Sequence, residues 1–340
     1  MNVKIDRNFK IFMTTKMIAE ICQNHNGDSG LIKEMVCAAK ESGASFAKMQ
    51  TIHSSQLTHR YRFDEGIIDG GKIKSIKRPF NVEFDRLSRL DLTDKSIEIF
   101  LQACEDNDIE PMTTIFTRDV IKKTFSQGFK NIKLASFDCI SYPMAEDILD
   151  FNPDLLIVST GCSFKREIEQ MVQIISRAKK YALLHCISIY PTPLKEANLG
   201  RLRYLKNLVK SVGLSDHSNY EDDGLSILKW SVCEGIDFVE RHFTILEKDK
   251  TKDGVVSLNP KQMREAVDIC NWNEDDRKAF QKNNNKQKEL ILGDANRELS
   301  DVELLNRDYY QGRFASKDLN NNFIYNWQKN TDFKNLKHSA

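Results

Sequence analysis

Gly235-Ile-Asp-Phe-Val-Glu-Arg-His-Phe-Thr244 is the stretch on which the reading of the fold turns. A glycine turn leads into a short apolar run, Ile236 to Val239, with the length and composition of a buried strand. Glu240, Arg241 and His242 follow in succession. Three ionisable groups at the mouth of an apolar strand are costly unless they are paired or do chemistry. Ser211-Val-Gly-Leu-Ser-Asp-His217 has the same form. Two strand ends that present His217 and His242 point to a metal site on one face of a parallel sheet.

Outward from these two stretches the chain repeats one beat. Met17-Ile-Ala-Glu-Ile-Cys22 reads as a strand with Glu20 near its end, and residues 31–42 then show helical spacing. Ser45-Phe-Ala-Lys-Met-Gln50 is the next strand, with Lys48 and Gln50 two apart on one side. Further strands are expected at 111–116, 131–135, 155–158, 181–186, 212–215 and 236–240, with helices between them. Eight strands alternating with eight helices across 17–271 call for parallel strands and right-handed crossovers. The size matches an α/β (β/α)8 TIM barrel. A doubly wound sheet is the weaker reading, because no Gly-x-Gly-x-x-Gly follows any strand and polar residues end nearly all of them. Residues 1–16 read as an N-terminal β-hairpin, 17–275 as the barrel and 276–340 as a linker and short C-terminal tail. The segment 52–92 breaks the rhythm and reads as a functional lid or a disordered excursion.

Composition bounds the function. Fifty basic and 49 acidic residues leave a net charge of +1 in 340 residues, with no sustained basic block, so nucleic acid and acidic membrane surfaces are disfavoured as partners. The eight cysteines are scattered without a Cys-x-x-Cys pair and read as reduced, mostly as small hydrophobes, in a cytoplasmic chain. No apolar run approaches the roughly 18 residues that a membrane span requires.

In a barrel, chemistry gathers where strands run into the following loops. A lone strand-end lysine is more often a salt-bridge residue, and a lone buried histidine more often a hydrogen-bonded core residue. Convergence on one face changes that balance. Lys48 and Lys133, with the hydroxyls of Thr114, Ser136, Ser159 and Ser215, form a phosphate-sized set of donors. His217 and His242, with Glu20 or water, would hold an open-coordinated divalent metal acting as a Lewis acid. Asp138 and Asp253 would hydrogen-bond a polyhydroxylated substrate.

The motifs resemble the sialic acid synthase family, which includes N-acetylneuraminate, legionaminate and pseudaminate synthases and spore-coat polysaccharide proteins. The resemblance is carried by Ala19-Glu-Ile-Cys-Gln-Asn-His-Asn-Gly-Asp28, Gly43-Ala-Ser-Phe-Ala-Lys-Met-Gln50 and Lys133-Leu-Ala-Ser-Phe-Asp138. It continues through Ser159-Thr-Gly161, Leu184-His-Cys-Ile-Ser-Ile-Tyr-Pro191, Gly213-Leu-Ser-Asp-His217 and Glu240-Arg-His-Phe-Thr244. The seven blocks stand in family order. The resemblance implies condensation of phosphoenolpyruvate with an open-chain N-acyl amino sugar, giving a nine-carbon 2-keto acid and phosphate for surface polysaccharide biosynthesis. It implies manganese or magnesium on His217 and His242, and a homodimer. Lys48, Lys133, Thr114, Ser136, Ser159 and Ser215 would cradle phosphoenolpyruvate with Gln50 nearby. Tyr190, Asp138 and Asp253 would contact the sugar. Glu20 would orient water or act as base, and Glu240 would be an acid/base group beside the metal.

Three features depart from the family pattern. Asp138 stands where a glutamate is usual, and 52–92 does not resemble the usual loop. The family's antifreeze-like C-terminal domain, which brings an arginine into the partner's site, is matched only by Gly312-Arg-Phe-Ala-Ser-Lys-Asp-Leu-Asn-Asn-Asn-Phe-Ile324. Arg313 reads either as a remnant of that arginine or, more plainly, as a solvated tail residue. The alternatives to the synthase reading are the same fold with another aldehyde acceptor and a non-catalytic scaffold in polysaccharide assembly.

Overall fold

The computed structural model describes residues 14–318 and 320–329. The hairpin expected over 1–16 therefore falls almost wholly outside the described residues. Eight parallel strands close into a barrel: β1 (Lys16–Cys22), β2 (Phe46–Thr51), β3 (Glu110–Ile115), β4 (Asn131–Leu134), β5 (Leu155–Ser159), β6 (Tyr181–Cys186), β7 (Val212–Asp216) and β8 (Phe238–His242). Each pairs with its sequence neighbour, and β8 pairs with β1 to close the ring. The last strand runs through Glu240-Arg-His242 and does not stop before them. The charged triplet is thus part of the barrel wall.

The two-residue period of a strand sorts each wall residue to one face. Met17, Ala19 and Ile21 of β1 pack outward in the main core shared with the helices. Ile18 faces inward, with Phe46, Met112, Ile157, Leu184 and Phe238 from other strands, and this second apolar cluster plugs the barrel. One step further along the strands the inward positions turn polar, to Glu20, Lys48, Thr114 and Glu240, all buried. Register holds that layer together. Glu20 stands opposite both Lys48 and His242, Thr114 opposite Lys133, and Glu240 opposite Ser215. Arg241 takes the outward face, where it meets Asp216 at 2.5 Å and donates to the Ser218 hydroxyl and carbonyl. Its place in the triplet is structural.

The outer helices start where their capping residues dictate. Asp28 accepts from the Gly30 and Leu31 amides at the start of Ser29–Glu41, and Thr93 accepts from Ser96 at the start of Asp94–Asp106. Asn259 and Gln262 close a reciprocal box at the start of Pro260–Cys270.

The segment expected as a lid or an excursion is ordered. It holds the short helix Arg62–Glu65, a hairpin of Ile67–Asp69 with Lys72–Ser75, and the helix Phe80–Ser88. Its Leu57 and Leu87 pack with Phe314 of the tail in a small separate core, against Phe80 and Phe84. The stretch expected as linker and tail carries three helices, Glu274–Asn283, Asn285–Leu292 and Asp301–Tyr310. It then pairs with the segment after β2: the Thr58 amide donates to the Arg313 carbonyl at 2.9 Å, and the Ala315 amide to that of Gln56 at 3.0 Å. Among the described residues, no helix is long and apolar enough to cross a membrane, and all eight cysteines are free.

Candidate active site

At the C-terminal end of the strands lies a cavity of about 500 Å³. Its floor is an alternation of lysines and carboxylates. Lys48 is ion-paired with Glu20, stands 3.5 Å from a Glu240 carboxylate oxygen and donates to the Thr114 hydroxyl at 3.0 Å. Lys133 is paired with the other oxygen of Glu240, which also accepts from the Ser215 hydroxyl at 2.9 Å. Glu20 accepts the Cys22 amide at 2.7 Å, which fixes its carboxylate on the wall.

Taken out of water, these charges hold one another. Burial pushes the Lys48 ammonium down to about 7, helped by the charge of Lys133 and opposed by Glu240. Burial also disfavours the Glu240 anion, but Lys133 and Lys48 outweigh it and hold that carboxyl well below the usual range. Two of the polar atoms facing this space, the Ser159 hydroxyl and Glu240 Oε2, are buried with no hydrogen-bond partner in the described residues. The Ser159 hydroxyl costs about 1–3 kcal/mol until something bonds to it, whereas Glu240 Oε2 keeps the Lys48 ammonium at 3.5 Å. Gly161 opens the space above β5, because a Cβ there would lie 2.6 Å from the Ser188 hydroxyl and 2.7 Å from that of Ser136.

Beside the floor stands an imidazole wall. The rings of His217 and His242 lie 5.3 Å apart, and Tyr190 packs tilted against His217 at 4.1 Å. Burial lowers both histidines below their ordinary value, so they are neutral and carry free lone pairs at neutral pH. His242 Nδ1 is buried without a hydrogen-bond partner among the described residues and lies 3.8 Å from the Asp253 carboxylate. Cys22 completes the group, with its thiol donating to Asp253 at 3.0 Å. Donor atoms of Cys22, His242 and Asp253 all lie within 4.8 Å of one another. A thiol, an imidazole and a carboxylate converging with an orphaned nitrogen fit a divalent first-row ion. His217 faces the trio from across the wall, with Nδ1 3.3 Å from the Ile187 carbonyl.

The predicted residues of the catalytic and metal sets line this one cavity: Glu20, Lys48, Lys133, Glu240, His217 and His242. So do Gln50, Thr114, Ser136, Ser159, Tyr190, Ser215 and Asp253. Asp138 does not. It lines a small neighbouring cavity, where it accepts from Ser141 at 2.8 Å and from Asn326 at 2.9 Å, and burial pushes its carboxyl up to about 6. His185, another strand-end residue, bonds the Ala197 carbonyl at 2.7 Å and is a core histidine.

Cys22, Arg78 and Arg86 are cavity residues that the sequence reading does not single out. Cys22 reads as a small hydrophobe from its residue type, yet it lies two residues beyond Glu20 on the same inward face. Its backbone is left-handed (φ 53°) just where the β1–β2 register shifts, and this turns the thiol into the site. Arg78 and Arg86 come from the segment after β2, which lacks the strand–helix beat. Arg313, for which the sequence offers both a remnant of the family's arginine and a solvated tail residue, lines the cavity wall in an ion pair with Glu83.

A closed (β/α)8 barrel with its buried polar layer at the strand C-termini places the chain among barrel proteins that act at that end. More narrowly, the chain belongs to the NeuB family, the sialic acid synthase family, whose model matches residues 35–281. The N,N'-diacetyllegionaminic acid synthase of Legionella pneumophila is 27% identical, over 90% of this chain and 84% of its own length. The pseudaminic acid synthase of Campylobacter jejuni is 26% identical, over 94% and 86%. The crystal structure of an N-acetylneuraminic acid synthetase from Leptospira borgpetersenii, solved with citrate, superposes with a TM-score of 0.65 at 26% identity, covering 87% of this chain and 90% of that one.

Proposed function

We propose that the protein condenses phosphoenolpyruvate with the open-chain form of an N-acyl amino sugar, releasing phosphate and a nonulosonic 2-keto acid. Family membership supports the reaction class. The observation that carries the assignment to this cavity is the charge-paired floor of Lys48, Lys133, Glu20 and Glu240, ringed by hydroxyls and adjoining the imidazole wall.

In this reading Lys48 and Lys133 hold the phosphate and carboxylate of phosphoenolpyruvate, with Thr114, Ser136, Ser159 and Ser215 supplying directed hydrogen bonds. Gln50, Tyr190 and Asp253 orient the sugar. The C3 carbon of phosphoenolpyruvate attacks the aldehyde carbon, forming the new C–C bond as the C=O π bond opens to an alkoxide. Water adds at C2, and the C–O bond to phosphate then breaks, so the phosphoryl oxygen leaves with the phosphate. Glu20 and Glu240 orient the attacking water; one of its protons is relayed through Glu240 to that alkoxide, and the other leaves the C2 hydroxyl for the departing phosphate as the ketone forms. A divalent ion held by Cys22, His242 and Asp253, with His217 alongside, would polarise the aldehyde oxygen when bound. A thiol in that set favours thiophilic first-row ions over magnesium. Asp138, bonded outside the cavity, supports Asn326 of the tail.

Phosphate release tests the reading. It is expected only when phosphoenolpyruvate and an amino sugar are both present, and it should stop with a chelator or in His242→Ala. Turnover that persists without metal sinks it.

A further inference from the structure

The outward face of the last two strands changes character near its end. Leu214 of β7 and Val239 of β8 pack outward in the apolar core shared with the helices. Two residues further along the same strands, the outward positions are Asp216 and Arg241. Both side chains are buried, at 1% and 0% exposure, and the guanidinium meets the carboxylate at 2.5 Å. Taking such a pair out of water costs about as much as its attraction returns, and well-packed apolar residues in its place are often as stable or more so. Stability alone therefore does not account for charges at these two positions.

Their placement does. Arg241 and Asp216 stand opposite each other in the β7–β8 register, and the next residue on each strand is a histidine of the cavity wall, His242 and His217. The two rings face inward 5.3 Å apart, and the ion pair ties the same two strands from behind. The grip extends past the strands. Arg241 donates to the Ser218 hydroxyl at 2.9 Å and, with its other terminal nitrogen, to the Ser218 carbonyl at 3.0 Å and the Val256 carbonyl at 3.4 Å. The Ser218 amide turns back onto Asp216 at 2.9 Å, so His217 is clasped on both sides. Val256 ends the short 3-10 turn that begins beyond Asp253, and its amide donates to the Asp253 carbonyl at 3.1 Å. One planar fork thus holds the segments that carry His217, His242 and Asp253. A guanidinium can do this because its donors point in fixed directions, which a lysine ammonium does not match.

On the condensation reading above, with its metal at the imidazole wall, we infer that Arg241 is a positioning residue for the metal donors. Acting with Asp216 from outside the barrel, it fixes the separation of His217, His242 and Asp253. It touches neither substrate nor ion. The donors come from two strand ends and a loop, and a metal site is formed only where ligand distances agree to within roughly 0.2 Å. Asp223, whose carboxylate accepts the Leu225 and Ile227 amides, lies close enough to interact with both Asp216 and Arg241. Removing the arginine alone would leave two buried acids facing each other, so the test removes the pair as a unit.

In the double variant Asp216→Leu/Arg241→Met, apolar groups of similar bulk replace both charges, and the melting temperature should change by only a few degrees. Cobalt(II) titrated into the metal-stripped full chain against a competing chelator should then bind roughly 10–100-fold more weakly than to the wild type. The cobalt d–d absorption should change in position and intensity. Arg241→Lys keeps the charge without the fork and should lose part of the affinity. A double variant that binds cobalt with wild-type affinity and spectrum overturns the inference, whatever its melting temperature, because the pair would then be a packing contact only. If the double variant does not fold, Arg241→Lys is read in the same way, and wild-type affinity and spectrum there overturn it. Wild-type protein that takes up no cobalt overturns it as well. Phosphate release judges the condensation separately: its absence with every acceptor removes that reading and leaves the cobalt result standing.

Discussion

The floor and the rim of one cavity are built on opposite principles. On the floor, two lysines meet two glutamates, one pair between neighbouring strands and the others across the barrel, so charge is matched before any substrate arrives. At the rim, arginines from a long loop and a distant tail outnumber the carboxylates that face them. Matched charge on rigid strands suits a site where protons move, because the groups are already oriented. Unmatched charge on loops suits recognition.

Breaking each region should therefore have a different signature. Lys133→Met leaves Glu240 without its closest partner and should lower kcat by roughly 10²–10³-fold, with a small effect on acceptor KM. Steady-state kinetics with both substrates varied will separate the two. Cys22→Ser should weaken metal binding by roughly 10–100-fold. The cobalt-substituted protein reads this directly, since its near-ultraviolet thiolate charge-transfer band should vanish in the variant. Lys48, pushed down to about 7, gives the floor a pH dependence. The ammonium is present below that value and lost above it, so kcat/KM for phosphoenolpyruvate should fall as pH rises through about 7 and be flat on the acid side. The same shift has the opposite sign for folding. The unfolded chain keeps that proton up to the ordinary lysine range, so this group's contribution to stability grows as pH rises from about 7 toward 10.5.

Smaller effects should come from the rim and beyond it. Glu83→Gln removes the carboxylate that Arg86 and Arg313 share, and should lower the melting temperature by a few degrees with kcat unchanged. Asp138→Asn should leave turnover intact. Burial raises the carboxyl of Asp138, so the wild type loses stability as pH climbs from its unfolded value near 3.8 through about 6. The variant lacks that titration, and thermal melts of the two across this range should diverge accordingly.

The floor was legible in the sequence because strand period and strand end together dictate it. Lys48 and Gln50 share a face by spacing alone, and Glu240 and His242 do so again on the last strand. The triplet Glu240-Arg-His242 needed the third dimension only to send Arg241 outward to Asp216. Asp138 was misplaced because it follows its strand by a short 3-10 turn, Ser136–Asp138, that rotates it toward Asn326. Cys22 was hidden by its residue type, since a buried cysteine carries no charge to signal a role. The arginines were hidden for another reason: their placement depends on pairing between segments far apart in sequence, which no local pattern encodes.

That pairing gives the protein a seam. Thr58 and Arg313, 255 residues apart, are joined by backbone and hydroxyl hydrogen bonds, and Leu57 bridges Phe314 beside them. Closing so large a loop comes late in folding, after the barrel offers a surface to close upon. The same seam should be the first to part in the native state, as a cooperative local opening. The Thr58 and Ala315 amides should then exchange hydrogen together, ahead of the barrel strands. Floor and rim would thus differ in lifetime as well as in charge.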